Sequence, residues 1–215
     1  MIISPSILNA DFSRLDELLG ILDHSGAEYL HIDVMDGVFV SHDTRFDVDF
    51  VKGLHTNLKK DVHLMVADPL RKIPLYAAVG SDIITFHLEA CAGQSEIHEC
   101  IKLIHLFGKK AGLSIKPDTP VEAYLPFLDE IDLALIMSVE PGSGGQPFMD
   151  SSLDKIAWLS KKKQEGYAYL IEVDGGITEE AGAKCAAAGV DILVSGTFIV
   201  KDSDPAKKVR RLMEL

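Results

Sequence analysis

The chain has 215 residues, of which 47% are hydrophobic and 25% are charged, a balance that fits one folded domain and excludes a wholly disordered chain. Its 33 acidic residues against 21 lysines and arginines give a net charge of −12. At that charge, and with no lysine or arginine cluster beyond residues 161–163 and 207–208, the chain lacks the basic surface by which a protein binds nucleic acid or an anionic membrane.

Two kinds of segment alternate along the chain. Short β-branched and aliphatic runs predict strands, and longer amphipathic runs predict helices. The predicted strands are residues 2–8, 29–34, 62–66, 83–86, 111–115, 133–139, 169–173 and 192–195. The predicted helices that follow them are residues 12–22, 50–58, 69–78, 96–107, 121–128, 153–163, 179–187 and 204–213.

This strict alternation predicts a parallel sheet with helices outside it. Eight strand–helix units favour an α/β fold of the (β/α)8 TIM-barrel type. A doubly wound open sheet would usually carry a glycine-rich fingerprint after its first strand, and residues 6–10 contain no glycine. No linker or low-complexity stretch interrupts the pattern, so we predict a single barrel domain over residues 1–215.

The three cysteines, Cys91, Cys100 and Cys185, are odd in number and lack CxxC spacing. A disulfide framework is therefore not expected, and a reducing compartment fits. The first residues lack the basic and apolar regions of a signal peptide, and no apolar run approaches the length of a membrane span. We expect a cytoplasmic protein.

The second predicted strand carries a polar pair, His31 and Asp33. Two residues apart on a strand, these side chains lie on the same face. At the carboxyl end of a barrel strand that face borders the mouth, where barrel active sites lie. An imidazole and a carboxylate that converge there can form half of a metal site, although a polar strand end that caps the next turn would show the same pattern.

Two further strands carry candidate residues, His63 on the third and Asp174 at the end of the seventh. A lone buried histidine is usually a hydrogen-bonded core residue. The second and third strands are neighbours in a barrel, however, so His63 could reach the point that the polar pair faces. Asp174 is equally typical of a helix N-cap. The following Gly175 and Gly176 favour close approach of the backbone to a ligand, or positive φ angles.

Glycine-rich turns follow the sixth, seventh and eighth predicted strands, and they would be adjacent in a closed barrel. They could be merely flexible, but barrels usually hold phosphate with the loops after their last strands. Main-chain amides bind an anion without lysine or arginine. The candidate residues in these turns are Gly142, Ser143, Gly144, Gly145, Gly175, Gly176, Gly196 and Thr197. Ser6, on the first strand, could hydrogen-bond a hydroxyl or cap the first helix.

These motifs follow one another along nearly the whole chain, at residues 4–6, 31–40, 62–66, 138–148 and 172–177. In that order and with those residues, they resemble the ribulose-phosphate 3-epimerase family. Each motif alone is weakly specific, but the set is strongly specific.

The resemblance implies a (β/α)8 barrel that interconverts D-ribulose 5-phosphate and D-xylulose 5-phosphate. It implies a divalent metal ion held by His31, Asp33, His63 and Asp174, and exchange of the C3 proton by Asp33 and Asp174. It also leads us to predict that Ser6, His63 and the glycine-rich turns contact the sugar phosphate. Two imidazoles and two carboxylates suit Zn, Fe(II), Mn or Co.

The chemistry explains why two acids would be needed. Inverting a carbon beside a carbonyl removes its hydrogen from one face and returns a hydrogen to the other. Carboxylates on opposite sides of a planar enediolate, Asp33 from the second strand and Asp174 from the seventh, meet that demand. A cation between them would stabilise the developing negative charge.

One loop departs from the family pattern. After Phe39 and Val40 the family usually continues into Pro-Asn and a turn of small residues, whereas residues 41–46 here read Ser-His-Asp-Thr-Arg-Phe. We expect this loop to lie over the site. A 3-epimerase of a hexulose phosphate, such as allulose 6-phosphate, is therefore an alternative function.

Two other classes remain open at this point. A metal-dependent hydrolase or decarboxylase could use the same barrel, although neither HExxH nor GxSxG occurs in the sequence. A non-catalytic sugar-phosphate-binding protein would keep the glycine-rich turns but would need no set of four metal ligands. The family resemblance also suggests a homo-oligomer, with no nucleic-acid or membrane partner.

Overall fold

The computed structural model describes all 215 residues and contains one eight-stranded sheet with only parallel pairings. The strands are β1 (Ile2–Pro5), β2 (Tyr29–Met35), β3 (Lys59–Met65), β4 (Ser81–His87), β5 (Lys110–Ile115), β6 (Leu133–Met137), β7 (Leu170–Asp174) and β8 (Ile192–Ser195). Each matches a predicted strand, with ends that differ by at most three residues. The predicted (β/α)8 barrel is confirmed.

The sheet closes on itself between its first two strands. The strand order runs β1, β8, β7, β6, β5, β4, β3, β2. The Ile7 amide donates to the His31 carbonyl at 3.3 Å, and the Glu28 amide donates to the Ile3 carbonyl at 3.2 Å. These hydrogen bonds join β1 to β2, so the carboxyl ends of all eight strands surround a single mouth.

Helices connect the strands on the outside of the barrel. They are α1 (Leu15–Asp23), α2 (Val48–Gly53), α3 (Pro69–Ala77), α4 (Gln94–Leu106), α5 (Ser152–Gln164), α6 (Glu179–Ala188), α7 (Thr197–Val200) and α8 (Pro205–Met213). The one-turn helix α7 is not among the helices predicted from the amphipathic runs. It begins directly after β8, where Gly196 precedes its first residue.

Two predicted helices differ from the structure. The segment expected to be helical over 121–128 is a 3-10 helix, Val121–Phe127. Pro126 lies within it and has no N–H for an α-helical bond. The helix expected over 50–58 begins and ends earlier, because the Asp47 carboxylate caps it at the Phe50 amide and Leu54 is already extended.

Strand alternation divides the buried residues between two cores. A cluster of 48 residues, Leu30, Ile32 and Leu64 among them, packs between the sheet and the helices. A separate cluster of seven includes Tyr29 and Ile83, on the opposite face of the strands. Apolar packing therefore fills the barrel near the strand starts, and polar residues occupy the same inner face further along.

None of the helices combines the length and the apolar character required to cross a bilayer.

Candidate active site

A cavity of about 610 Å³ opens at the carboxyl ends of the strands. Eleven of the predicted site residues line it: Ser6, Asp33, Gly142, Ser143, Gly144, Gly145, Asp174, Gly175, Gly176, Gly196 and Thr197. The other two, His31 and His63, are fully buried and do not line the cavity. The structure thus brings every predicted site residue to one end of the barrel.

Two histidines and two aspartates form a compact group at the floor of this cavity. One ligand atom from each of His31, Asp33, His63 and Asp174 lies within 4.8 Å of the others. We refer to them as the four-residue cluster. Its residues come from β2, β3 and β7, so three strands contribute to one point.

The donor spacing in this cluster fits a single metal ion. Asp33 Oδ1 lies 3.3 Å from His31 Nε2 and 3.2 Å from His63 Nδ1. Asp174 Oδ2 lies 3.8 Å from both imidazole nitrogens. Four donors bound tetrahedrally at about 2.1 Å lie about 3.4 Å apart. The cluster can therefore hold a divalent cation with little rearrangement.

His31 presents a free nitrogen to the centre of the cluster. Its Nδ1 lies 2.6 Å from Asp61 Oδ2, which also accepts the Ser4 hydroxyl at 3.0 Å. Its Nε2 is buried and has no hydrogen-bond partner. A carboxylate on one imidazole nitrogen typically orients the other toward a metal. This buried nitrogen without a partner is the strongest structural indication that the four residues can bind a cation.

The register between β2 and β3 explains why these groups meet. Asp33 pairs with His63, and His31 pairs with Asp61. In-register neighbours on parallel strands share a face of the sheet, and this face points into the barrel. A one-residue shift of either strand would separate both pairs.

The two aspartates have opposite pKa shifts. Burial opposes ionisation of Asp33, but the His31 and His63 imidazoles that contact it hold its pKa well below the usual range. Burial and the nearby Asp33 charge raise the pKa of Asp174 to about 6. Two neighbouring carboxyl groups whose pKa values diverge are suited to separate acid and base tasks.

Asp33 is held by the first strand as well as by the histidines. The Ser6 hydroxyl donates to Asp33 Oδ2 at 2.8 Å and accepts the Leu8 amide at 3.3 Å. The alternative that Ser6 caps the first helix is wrong, because Asp11 caps the 3-10 turn that opens it. Ser6 thus orients a cluster carboxylate while also facing the cavity, and its contact with substrate stays a prediction.

The glycine-rich turns lie on the opposite side of the mouth. Gly175 and Gly176 have positive φ angles of 124° and 66°. A Cβ on Gly176 would lie 2.5 Å from the Phe148 backbone nitrogen, so only glycine lets the loop after β6 pack here. Asn9, which we did not single out, lines the cavity and donates to the Thr197 hydroxyl at 2.9 Å.

The divergent loop, residues 41–46, does not lie over the cavity as expected, since none of its residues lines it. It packs instead against the end of β2. The Thr44 hydroxyl donates to the Asp33 carbonyl at 3.0 Å and accepts the Met35 amide at 3.1 Å. The loop therefore supports the strand that carries Asp33.

Two buried acids below the cluster were not recognised in the sequence. Asp61 and Glu172 are fully buried, and with His31 they form a second group of possible ligand atoms. Both Glu172 carboxyl oxygens lack a partner, and burial together with the Asp61 charge raises its pKa well above the usual value. The sequence does indicate their position, because each acid lies two residues before a cluster residue and thus shares its face of the sheet.

Comparison with known proteins gives a consistent result. The model of the ribulose-phosphate 3 epimerase family matches residues 2–200. Ribulose-phosphate 3-epimerase of Bacillus subtilis (strain 168) is 40% identical over 214 residues, which cover 98% of this chain and 97% of that protein. The enzyme of the same name from Mycobacterium tuberculosis (strain ATCC 25618 / H37Rv) is 42% identical over 215 residues, covering 98% and 91%.

Other relatives are more distant in length or in sequence. The chloroplastic ribulose-5-phosphate-3-epimerase of Arabidopsis thaliana is 40% identical over 215 residues, covering 98% of this chain and 75% of that protein. Among solved structures, KGPDC from Streptococcus mutans in complex with D-R5P aligns with a TM-score of 0.73 at 14% identity, covering 99% of this chain and 95% of that one. At that identity the structural likeness supports the barrel fold alone.

Proposed function

This chain belongs to the ribulose-phosphate 3-epimerase family, and from that membership we propose that it interconverts D-ribulose 5-phosphate and D-xylulose 5-phosphate. The proposed mechanism is a metal-dependent proton transfer between two aspartates through an enediolate. The observation that carries it is the four-residue cluster, in which two carboxylates with divergent pKa values share a floor with two imidazoles.

Asp33 and Asp174 are the proposed acid–base pair. They come from β2 and β7, which are separated by β1 and β8 in the sheet. One carboxylate removes the C3 hydrogen from one face of the sugar, and the other carboxyl group protonates the opposite face of the planar enediolate. Asp174 must carry a proton in one half of the cycle, and in the metal-free chain burial and the Asp33 charge raise its pKa to about 6.

The four cluster residues are also the proposed metal ligands, with His31 binding through Nε2 and His63 through Nδ1. A bound divalent cation would act as a Lewis acid that stabilises negative charge on the reacting oxygens. Two imidazoles and two carboxylates accept Zn, Fe(II), Mn or Co. Asp61 keeps the Nδ1 hydrogen of His31 engaged, so that Nε2 stays available.

The glycine-rich turns are the proposed site for the phosphate group. Gly144, Gly145, Gly176 and Gly196 line the cavity, and their amides can donate to an anion without any basic side chain. Lys184, which also lines the cavity, is already paired with Asp150 at 3.1 Å. Backbone donors thus account for anion binding in a chain whose net charge is −12.

The experiment is incubation of the full chain with D-ribulose 5-phosphate in deuterated water, with metal analysis of the same preparation. We expect xylulose 5-phosphate that carries one solvent deuterium at C3, together with about one divalent metal ion per chain. Xylulose without deuterium would refute proton exchange with the protein. A parallel reaction with allulose 6-phosphate separates the pentulose from the hexulose reaction, and faster turnover of the hexulose would replace the proposed substrate.

Three earlier expectations stay predictions: the cytoplasmic location, the homo-oligomer and the absence of a nucleic-acid partner.

A further inference from the structure

The imidazole of His63 has a second partner on the side away from Asp33. His63 Nε2 lies 2.9 Å from His87 Nε2, and His87 Nδ1 lies 3.3 Å from Glu89 Oε2. The other oxygen of Glu89 accepts the Lys116 backbone amide at 2.7 Å and the Thr119 hydroxyl. A chain of polar contacts therefore runs from the four-residue cluster through the end of β4 to the loop after β5.

With both imidazoles neutral, counting donors and acceptors from the Glu89 end places the hydrogens. A neutral imidazole has one N–H donor and one acceptor nitrogen, and an ionised carboxylate only accepts. Glu89 faces His87 Nδ1, so this nitrogen carries the hydrogen. His87 Nε2 is then an acceptor, and His63 Nε2 is the donor. His63 Nδ1 carries no hydrogen in this arrangement and lies 3.2 Å from Asp33 Oδ1, so its lone pair would bind a cation held between the two atoms, and without a cation the two atoms would repel.

We propose that His87 and Glu89 are positioning residues that lock His63 in the orientation and tautomer that offer Nδ1 to a divalent cation. This inference rests on the proposed function, because it assigns a role toward the metal of that site. His31 is held in a similar way by Asp61. Each imidazole of the cluster would thus be oriented by a carboxylate: the buried Asp61 acts directly on His31, and the half-buried Glu89 acts on His63 through His87.

The packing around these two rings excludes solvent. His63 and His87 are fully buried, and their rings stack with centroids 5.0 Å apart and planes inclined by 28°. The Phe39 ring covers His87 with a centroid distance of 4.9 Å, and Lys116 Nζ lies 4.2 Å from the Phe39 centroid. No water can replace a missing acceptor between the two imidazoles, so a donor facing a donor there would be costly.

Glu89→Gln tests the inference because it should reverse the order of hydrogen-bond donors and acceptors at His87. The Lys116 amide requires an acceptor, so the glutamine oxygen takes that position and its NH2 group faces His87. His87 Nδ1 then accepts, and its Nε2–H faces the Nε2–H of His63. We expect the Zn²⁺ affinity of E89Q, measured by competition with a chelator, to fall about 10-fold to 100-fold.

The control is Glu130→Gln. Glu130 contacts His98 at 2.9 Å on the surface, so the same chemical change beside a histidine should leave Zn²⁺ affinity unchanged. His87→Gln should bind Zn²⁺ more tightly than E89Q, since a glutamine there can accept from His63 and donate to Glu89. That order is specific to hydrogen-bond polarity, because the loss of an entire ring would be the larger packing defect.

A second readout needs no variant. In the Zn²⁺-loaded full chain, ¹⁵N NMR of the histidine rings should show the His87 hydrogen on Nδ1. A hydrogen on Nε2, or an E89Q variant that binds Zn²⁺ as tightly as the unmodified chain, overturns the inference. Neither result bears on deuterium incorporation at C3, so the proposed function and this inference fail separately.

Discussion

The two sides of the barrel mouth present different groups to a ligand. The side built from β2 and β3 supplies side chains, and its imidazoles and carboxylates are buried and held by further buried groups. The side built from the turns after β6, β7 and β8 supplies mainly backbone, with glycines that allow close packing. Apart from Asp174 at the end of β7, the residues proposed for acid–base chemistry and metal binding therefore lie on one side, and the other side offers backbone N–H groups that could bind an anion without a basic side chain.

This division has a physical reason. A metal centre requires fixed donors in a water-poor site, which rigid strands supply. A phosphate group requires several N–H donors that converge, and turns supply them. We therefore expect substitutions of the cluster residues and of the groups that hold them to reduce turnover and metal affinity. Substitutions in the glycine-rich turns should instead reduce the affinity for substrate.

The largest expected effect is from Asp33→Asn and Asp174→Asn. Each variant should lower kcat by about 1,000-fold or more, since each removes one of the two groups that move the C3 proton. Turnover of ribulose 5-phosphate measures this, with the exposed Asp129→Asn as the control. Activity within tenfold of the unmodified chain in either variant would remove that residue from the mechanism.

Metal removal should have the next largest effect. Dialysis against a chelator should lower activity by about 100-fold or more, because the Lewis acid contributes several kcal/mol to stabilising the charged intermediate. Adding back Zn, Mn, Co or Fe(II) should restore turnover in proportion to the metal bound. Full activity after the metal content has fallen to zero would show that the cluster does not work through a cation.

Asp61→Asn should weaken metal binding on the same side without altering the substrate turns. The buried hydrogen bond from His31 Nδ1 loses its ionised acceptor, so Zn²⁺ affinity should fall about tenfold to 100-fold. Ser4→Ala, which removes only the second donor to Asp61, should have a smaller effect. Equal Zn²⁺ affinities for D61N and S4A would argue against an orienting role for this carboxylate.

The smallest effect is expected on the backbone side. Gly176→Ala places a Cβ against the Phe148 amide at a φ of 66° and should raise KM about tenfold while Zn²⁺ affinity is unchanged. The matched control is Gly166→Ala, at a φ of 116° with nothing within 4 Å, which should cost about 1 kcal/mol of stability and leave KM unaltered. A rise in KM for both variants would assign the effect to strain and not to the site.

Much of the fold and the cluster could be predicted from the sequence. The strand alternation and the spacing of His31 and Asp33 depend on local patterns, and the structure agrees with both. The spacing of Asp61 and Glu172, two residues before His63 and Asp174, shows that they share a face with the cluster, but which groups they contact depends on how the strands pair in register. The expectation that residues 41–46 lie over the cavity was wrong because the contacts of this loop with Asp33 and Met35 depend on how it folds back against β2.

His87 shows the limit more sharply. It is the last residue of β4, and no motif near it in the sequence indicates a function. Its proposed role depends only on its contact with His63 on the neighbouring strand β3. Residue type and spacing identify groups that act directly. They do not identify groups that act through another side chain, because that relation is set by tertiary packing.

The most direct test is to follow solvent deuterium into C3 of both sugar phosphates with the unmodified chain, D33N and D174N. Two acids on opposite faces predict that the unmodified chain labels both epimers. Each variant should then invert C3 at least about 1,000-fold more slowly while retaining slow exchange with only one epimer, and the two variants should retain different ones. Inversion by either variant within tenfold of the unmodified rate, or exchange with both epimers by one variant, would contradict the two-aspartate account.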